Sequence, residues 1–277
     1  AGQGAEEAEG QGVMSYLSHH LVDSRTVEIP IINRPVTLPV LFPSLTLPNS
    51  MDAHGFLLTK HRLGLVIAAL LVIILVIPGM GRTRRGDVPH GFGNFLEVLV
   101  VFVRDEVVYP NIGPEKGRKW LPVFLTAFFL ILFSNLLGML PWGTTPTGNV
   151  NVTGGLAIAM LLSVFYAGIR EHGLKYIATF VPHGVPILIV PLLFPIEVFG
   201  LFVKHFALCI RLFANMLAGH TVIGVFLALI LTPLVAFASV PGAVAIGLLE
   251  IFVAFLQSYI FIMLASLFVG MAIHPEH

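Results

Sequence analysis

Four strongly charged side chains lie within the hydrophobic C-terminal part of the chain. From Tyr176 onward, apart from the terminal Glu276, the acidic and basic residues are Glu197, Lys204, Arg211 and Glu250. An arginine at the centre of a membrane helix costs about 2.5–3.5 kcal/mol on insertion scales. A buried ion pair rarely stabilises a fold more than an apolar pair would, so a pairing that only locks two helices is the weaker explanation. We therefore expect Arg211 to have a function.

The spacing of these residues predicts one polar stripe along a helix. Glu197, Lys204 and Arg211 are each seven residues apart, and Asn215 follows Arg211 by four. At about 3.6 residues per turn, such intervals return to the same side of a helix. The stripe would face a common surface or a water-filled cavity.

A second set of polar residues has the composition of a proton relay. Glu250 and Gln257 are seven residues apart and share a helical face. His220 is nine residues after Arg211, on roughly the opposite side of a straight helix, where it could face the helix that carries Glu250. A glutamate and a histidine in a medium of low dielectric can each take up or release a proton near neutral pH.

Arginine has a different part in such a path because it cannot be deprotonated in a protein. Arg211 can repel protons or keep a carboxylate ionised, so a relay that contains it becomes two half-paths with a barrier between them. The predicted outer half-path consists of His220, Glu250, Asn215 and Gln257. The predicted inner half-path contains Glu197. Lys204 and His205 are further candidates for proton translocation, without assignment to either half-path. His205 is better explained as a helix-interface residue than as a ligand.

The composition indicates a membrane protein. The 277 residues are 56% hydrophobic and only 11% charged, whereas soluble domains carry about 25% charged residues. The formal net charge is zero, so the chain lacks the excess of basic residues that binding to nucleic acid requires. Cys209 is the only cysteine, which excludes an intrachain disulfide and a thiolate cluster. We expect no metal and no cofactor.

The hydrophobic segments predict an all-α integral membrane protein with about five crossings and one interfacial amphipathic helix. Residues 1–60 are polar or mixed and predict an extramembrane head without a core of its own, followed by a membrane domain over 61–277. The crossings are predicted at about 63–77, 120–140, 154–168, 186–231 and 234–272, and the interfacial helix at 90–110. A span needs about 20 residues, so the last two tracts, 186–272, are expected to tilt or bend as a long helical hairpin.

Basic residues set the expected orientation, because cytoplasmic loops carry an excess of Lys and Arg. The loop between the second and third spans, PWGTTPTGNVNVT, has no charge. The loops on either side of it along the chain are basic, with Arg82, Arg84, Arg85, Lys116, Arg118 and Lys119 in the first and Arg170 and Lys175 in the second. The head is therefore expected outside and the C-terminus in the cytoplasm. No positively charged segment followed by an apolar run begins the chain, so no signal peptide is expected there.

One stretch carries a family resemblance. The sequence KHFALCIRLFANMLAGH, Lys204–His220, resembles the signature of ATP synthase a subunits, whose core reads R-L-F-x-N-M-x-A-G. Further matches are PTGNVNVT before the third span, PIEVFG around Glu197 and FLQSYIFIML around Gln257. The resemblance covers roughly residues 50–277.

The resemblance implies a non-catalytic stator subunit of a rotary motor in a bacterial inner membrane, with a periplasmic N-terminus. Its two long last helices would lie against a ring of c subunits, and protons would reach and leave ring carboxylates through two half-channels. Arg211 matches the family's essential arginine, Asn215 and Gln257 match its polar neighbours, and Glu197 matches a carboxylate near the inner exit. Some bacterial members carry Glu where this chain has His220, and His where it has Glu250. The implied partners also include peripheral-stalk b subunits, the F1 sector indirectly, and lipid.

Other classes of protein fit the residues less well. The chain has no HExxH, no G-x-S-x-G and no Asp in a late span, so an intramembrane hydrolase lacks its groups. A haem or quinone protein would need paired histidines on facing spans, and only His220 lies deep. A secondary transporter usually shows two related halves, and none is found. The chain also has no phosphate-binding loop, so nucleotide chemistry must belong to partners.

Overall fold

The computed structural model describes residues 26–29, 34–37, 40–42, 56–57, 60–76, 91–140, 145–180, 188–228 and 233–275. Backbone packing divides the chain into two compact units. The first unit comprises Ala1–Leu71, Phe133–Asn149 and Ala214–Ala254. The second comprises Val72–Leu132, Val150–Phe213 and Phe255–His277.

Two short antiparallel strand pairs belong to the first unit. Strand β1 (Thr26–Ile29) pairs with β2 (Arg34–Thr37), so that Thr26 lies opposite Thr37. Strand β3 (Val40–Phe42) pairs with β4 (Phe56–Leu57), with a register shift between Val40 and Phe42. The predicted head therefore contains extended backbone that pairs within itself, which the sequence analysis did not anticipate.

Helix α1 runs over Lys60–Leu71 and continues as a π-helical segment, Val72–Val76. These 12 and 5 residues span roughly 25 Å at a rise of about 1.5 Å per residue. The predicted first crossing, 63–77, thus lies on a helix whose described part falls short of a full span. The first crossing remains a prediction, and the basic residues Arg82, Arg84 and Arg85 lie outside the described residues.

Four helices of the described chain are long and apolar enough to cross a membrane. They include α4 (Pro114–Gly138), α5 (Val150–His172), α6 (Val190–Ala228) and α7 (Pro233–Ile273). The 39 residues of α6 and the 41 of α7 correspond to roughly 60 Å of helix each. Because the hydrocarbon core is about 30 Å thick, both helices must run obliquely or bend. This agrees with the predicted hairpin.

The predicted interfacial helix is confirmed as an amphipathic helix. It comprises α2 (Phe92–Phe102), a π-helical segment (Val103–Val108) and α3 (Tyr109–Ile112). Buried Leu96, Leu99, Val103 and Val107 form one stripe at helical spacing. The Arg104 guanidinium donates to the Asp105 carboxylate at 2.7 and 2.9 Å, and this hydrogen bond lowers the pKa of that carboxyl.

The end of this amphipathic helix docks on α7 within the second unit. Asn111 Nδ2 donates to Ser266 Oγ at 2.8 Å and to the Val107 carbonyl oxygen at 2.8 Å. A Cβ added at Gly270 would collide with the Asn111 carbonyl oxygen, so the close approach requires a glycine there. The chain then turns at Gly113, whose φ of 84° favours glycine.

A short 3₁₀ helix, Pro146–Gly148, precedes α5, and a longer one, Gly173–Phe180, follows it. Proline occurs inside α4, α6 and α7 at Pro122, Pro195 and Pro241. Membrane helices tolerate such prolines because neighbouring groups satisfy the freed carbonyl. One turn after Pro122, the Thr126 hydroxyl donates to the Pro122 carbonyl oxygen at 2.8 Å.

Candidate functional site

The centre of the first unit is a buried pair formed by His220 on α6 and Glu250 on α7. His220 Nδ1 lies 2.9 Å from Glu250 Oε1, and the two side chains are 5% and 7% exposed. The sequence analysis proposed that His220 could face the helix of Glu250, and the structure brings them into contact. Two titratable groups at this distance, shielded from solvent, can pass one proton between them.

The other ring nitrogen of His220 fixes how the pair shares its proton. His220 Nε2 lies 2.9 Å from the Gly138 carbonyl oxygen, which can only accept, so Nε2 carries a hydrogen. It also lies 3.2 Å from Thr145 Oγ1. The transferable proton is therefore the one between Nδ1 and the carboxylate. The pair is either imidazolium with carboxylate or neutral imidazole with carboxylic acid.

Gly219, the residue before His220, makes room for the carboxylate. A Cβ added at Gly219 would sit 2.6 Å from Glu250 Oε1 and 2.9 Å from its Cδ. No side chain larger than hydrogen fits there without displacing Glu250. The close approach of Glu250 therefore explains the glycine in the Ala-Gly-His sequence, which ends the motif Lys204–His220.

Polar residues that the sequence analysis did not select extend this site. The Thr147 hydroxyl donates to Asn135 Oδ1 at 2.7 Å, and Asn135 Nδ2 donates to the Ala254 carbonyl oxygen at 3.4 Å. Thr145, Thr147 and Asn135 are at most 2% exposed. The sequence feature that could have indicated these residues is the uncharged loop rich in Thr and Asn, whose last part is the motif PTGNVNVT. Only the structure connects that loop to His220.

Arg211 lies on α6 in the second unit, and its residue surface is exposed. No carboxylate in the described part of the chain forms an ion pair with it. The alternative role of Arg211 is an ion pair that only locks two helices of this chain together. Among the described residues, no carboxylate forms such a pair with it. The guanidinium is available to a group outside the chain.

The remaining residues of the predicted outer path are divided between the two units. Asn215 is half-buried in the first unit, whereas Gln257 in the second is 4% exposed. Gln257 Nε2 has no hydrogen-bond partner among the described residues. The structure thus brings His220 and Glu250 together and leaves the roles of Asn215 and Gln257 as predictions.

Glu197, from the predicted inner half-path, and Lys204 line one cavity of about 550 Å³ in the second unit. Polar side chains of Asn111, Tyr176 and His274 also line it. Glu197 and Lys204 are both exposed, and Lys204 Nζ lies 5.6 Å from the centroid of the Phe268 ring. A carboxylate in a cavity open to water can release a proton.

His205 has the surroundings of a packing residue. It is 2% exposed, its Nδ1 donates to the Leu201 carbonyl oxygen at 2.9 Å, and its ring centroid lies 5.2 Å from that of Phe268. Among the described residues, no three His, Cys, Asp or Glu side chains are grouped so that they could hold a metal ion.

Comparison with known proteins places these features in one family. The family model described as ATP synthase A chain matches residues 63–270. The ATP synthase subunit a of Myxococcus xanthus (strain DK1622) is 48% identical over 236 residues, which cover 83% of this chain and 78% of the relative. That of Anaeromyxobacter dehalogenans (strain 2CP-C) is 40% identical over 281 residues, covering 96% and 72%.

A third relative extends the match along the whole chain. The ATP synthase subunit a of Chlorobium phaeobacteroides (strain DSM 266 / SMG 266 / 2430) is 42% identical over 287 aligned positions, covering 100% of this chain and 79% of the relative. Together with the four apolar helices, these matches decide the family. The chain belongs to the ATP synthase a subunits, the non-catalytic membrane subunits of the proton-translocating Fo sector.

Proposed function

We propose that this chain forms two offset aqueous half-channels that load and unload protons on carboxylates of a c-subunit ring, with Arg211 as the barrier between them. Proton flow through the half-channels drives rotation coupled to ATP synthesis, and ATP hydrolysis drives pumping in the opposite direction. The observation that carries the proposal is the exposed guanidinium of Arg211, which has no carboxylate partner in the described chain.

A permanent cation in a membrane helix needs a counter-charge, because an isolated ion in hydrocarbon is strongly disfavoured. Since the described chain offers Arg211 none, we assign that role to a carboxylate of the neighbouring ring. The arginine keeps the facing carboxylate ionised, and an ionised carboxylate can take up a proton only from the side where a half-channel delivers it. Arg211 itself cannot relay a proton, so direct leakage between the half-channels is blocked.

The outer half-channel uses the His220–Glu250 pair. One proton shared across 2.9 Å can be received at one partner and passed on by the other. Asn215 and Gln257 complete this path as hydrogen-bonding neighbours near the ring. The proposal assigns the transfer to the pair as a whole and not to an order of its two members.

The inner half-channel uses Glu197. Its carboxylate and Lys204 line a cavity of about 550 Å³, and this cavity has room for water on the proposed path to the cytoplasm. Lys204 contributes a positive charge to the exit, and His205 supports the helix by packing against Phe268.

The proposed partners are the c-subunit ring, the peripheral-stalk b subunits and, through them, the F1 sector. The proposed location is a bacterial inner membrane, with the N-terminus in the periplasm and the C-terminus in the cytoplasm. The basic residues near the ends of α4 and α5 support this orientation.

The decisive experiment is ATP-driven proton pumping in inside-out vesicles that carry the complete ATP synthase with Arg211→Ala. We expect coupled pumping to be lost while the complex still assembles with its c ring. The matched control is Arg170→Ala, which removes an arginine whose hydrogen bond goes to Tyr166 on its own helix. Wild-type pumping by the Arg211→Ala complex would contradict the proposal.

A further inference from the structure

We propose that His61, next to Lys60 at the beginning of α1, is a proton-carrying residue that extends the outer half-channel beyond His220 and Glu250. The inference rests on the proposed function, because it adds a residue to the same path. It starts from two buried basic side chains at the beginning of α1.

Lys60 and His61 are buried in the first turn of α1. Lys60 is 2% exposed and His61 0%, and Lys60 Nζ and both ring nitrogens of His61 lie below the surface. A lysine at the end of a membrane helix ordinarily extends its amino group to water. The N-terminus of a helix also carries a partial positive charge, which disfavours a cation there. Both effects therefore disfavour a buried lysine in the first turn of α1.

The buried face of α1 belongs to the same unit as the His220–Glu250 pair. Lys60, His61, Gly64 and Ala68 are its buried residues, and α1 contacts the 3₁₀ helix Pro146–Gly148. Directly before this 3₁₀ helix lies Thr145, whose Oγ1 is 3.2 Å from His220 Nε2. The turn that contacts α1 thus also provides a contact of the relay histidine.

The first unit buries several polar side chains. Within the first unit, the residues that are at most 6% exposed include Lys60, His61, Asn135, Thr145, Thr147, His220 and Glu250. Polar groups are costly to bury in a membrane protein unless they are hydrogen-bonded to one another or to water. Two of these residues lie on α1, and two lie in or directly before the 3₁₀ helix that α1 contacts, which supports a polar path from α1 toward His220.

His61 is the member that can carry protons. An imidazole can bind a proton at one nitrogen and release another from the second, so that its net charge is unchanged after each transfer. A lysine has a single side-chain nitrogen and cannot pass a proton from one ring atom to another in this way, so Lys60 acts as a neighbour of the path. With the predicted orientation, α1 begins on the outer side, where the outer half-channel opens.

The test compares His61→Gln with His61→Glu in the complete ATP synthase. Glutamine and glutamate have nearly the same shape, but only glutamate can exchange protons. We expect His61→Gln to reduce both ATP-driven pumping and passive proton conduction by roughly tenfold or more, and His61→Glu to retain most of both. The control Arg62→Gln removes the adjacent, exposed basic residue and should behave as wild type.

Equal behaviour of His61→Gln and His61→Glu in assembled complexes would overturn the inference, because a packing role does not depend on titration. Failure of both variants to assemble with the c ring would also overturn it, since His61 would then be a structural residue. Arg211→Ala in the same vesicles separates the two proposals. If that variant loses pumping while His61→Gln pumps normally, only the role of His61 is wrong.

Discussion

At the scale of single residues, the His220–Glu250 contact explains why an acid and a base both occur within the long apolar helices α6 and α7. The 2.9 Å separation allows either residue to hold the shared proton. The Gly138 carbonyl fixes the hydrogen on Nε2, so only Nδ1 takes part in the exchange. A pair of this kind depends on having one acid and one base, and not on which helix carries which.

This reasoning predicts the result of exchanging the two residues. His220→Glu places two carboxylates together and Glu250→His places two imidazoles together, and each should reduce ATP-driven pumping by roughly tenfold or more. The double exchange restores one acid and one base and should recover part of the lost flux. Proton pumping of the four complexes, analysed as a double-mutant cycle, measures the coupling. Simple additivity of the two defects would refute a shared proton.

Gly219 gives a second prediction at this scale. Gly219→Ala places a methyl group 2.6 Å from Glu250 Oε1 and pushes the carboxylate away from His220. We expect pumping to fall while the complex still assembles, at a stability cost of about 1–3 kcal/mol. Gly200→Ala, on the same helix with open space around its Cβ position, is the control. Equal pumping by both variants would show that the approach of Gly219 to Glu250 is unimportant.

At the scale of elements, the amphipathic helix is held by its last turn. Asn111 bridges the Val107 carbonyl and Ser266 of α7, and both contacts are 2.8 Å long. Asn111 also lines the cavity that contains Glu197. The attachment of this helix thus contributes directly to the wall of the proposed inner half-channel.

Asn111→Ala should loosen that attachment. The loss of two hydrogen bonds in a part-buried place is expected to lower the free energy of unfolding by about 1–3 kcal/mol. Thermal inactivation of the purified ATP synthase in detergent should therefore begin at a lower temperature. Asn94→Ala, an exposed asparagine near the start of α2, should leave the inactivation temperature unchanged. A normal temperature for Asn111→Ala would show that the bridge does not stabilise the complex.

The sequence predicted the helices better than it predicted the contacts between them. Uninterrupted hydrophobicity located α6 and α7 to within a few residues, and the stripe Leu96, Leu99, Val103 and Val107 explains why the amphipathic helix was recognisable. The contact of Thr145 with His220 was not predictable, because it joins residues 75 positions apart through a loop with no periodic pattern. The strand pairs were also not predicted, because a strand of four residues is too short to show a clear alternation of polar and apolar residues.

At the scale of the whole molecule, the proposed function requires a defined orientation, and α5 provides a direct test. Lys175 follows its C-terminal end and Val150 begins it, and both are exposed. In a Cys209→Ser background, Lys175→Cys should react with a membrane-impermeant thiol reagent from the cytoplasmic side and Val150→Cys from the periplasmic side. Labelling of intact cells and of inside-out vesicles would measure this. The reverse pattern would invert the assignment of the inner and outer half-channels.

The exposed Arg211 also bears on how the complex is made. A copy of this chain released into the bilayer alone presents a guanidinium that no carboxylate in its described part neutralises, at a cost of about 2.5–3.5 kcal/mol on insertion scales. A subunit without the proposed ring is therefore less stable in the bilayer than the assembled subunit. Under the proposed function, the side chain that blocks a proton leak in the assembled motor also disfavours the unassembled subunit in the bilayer.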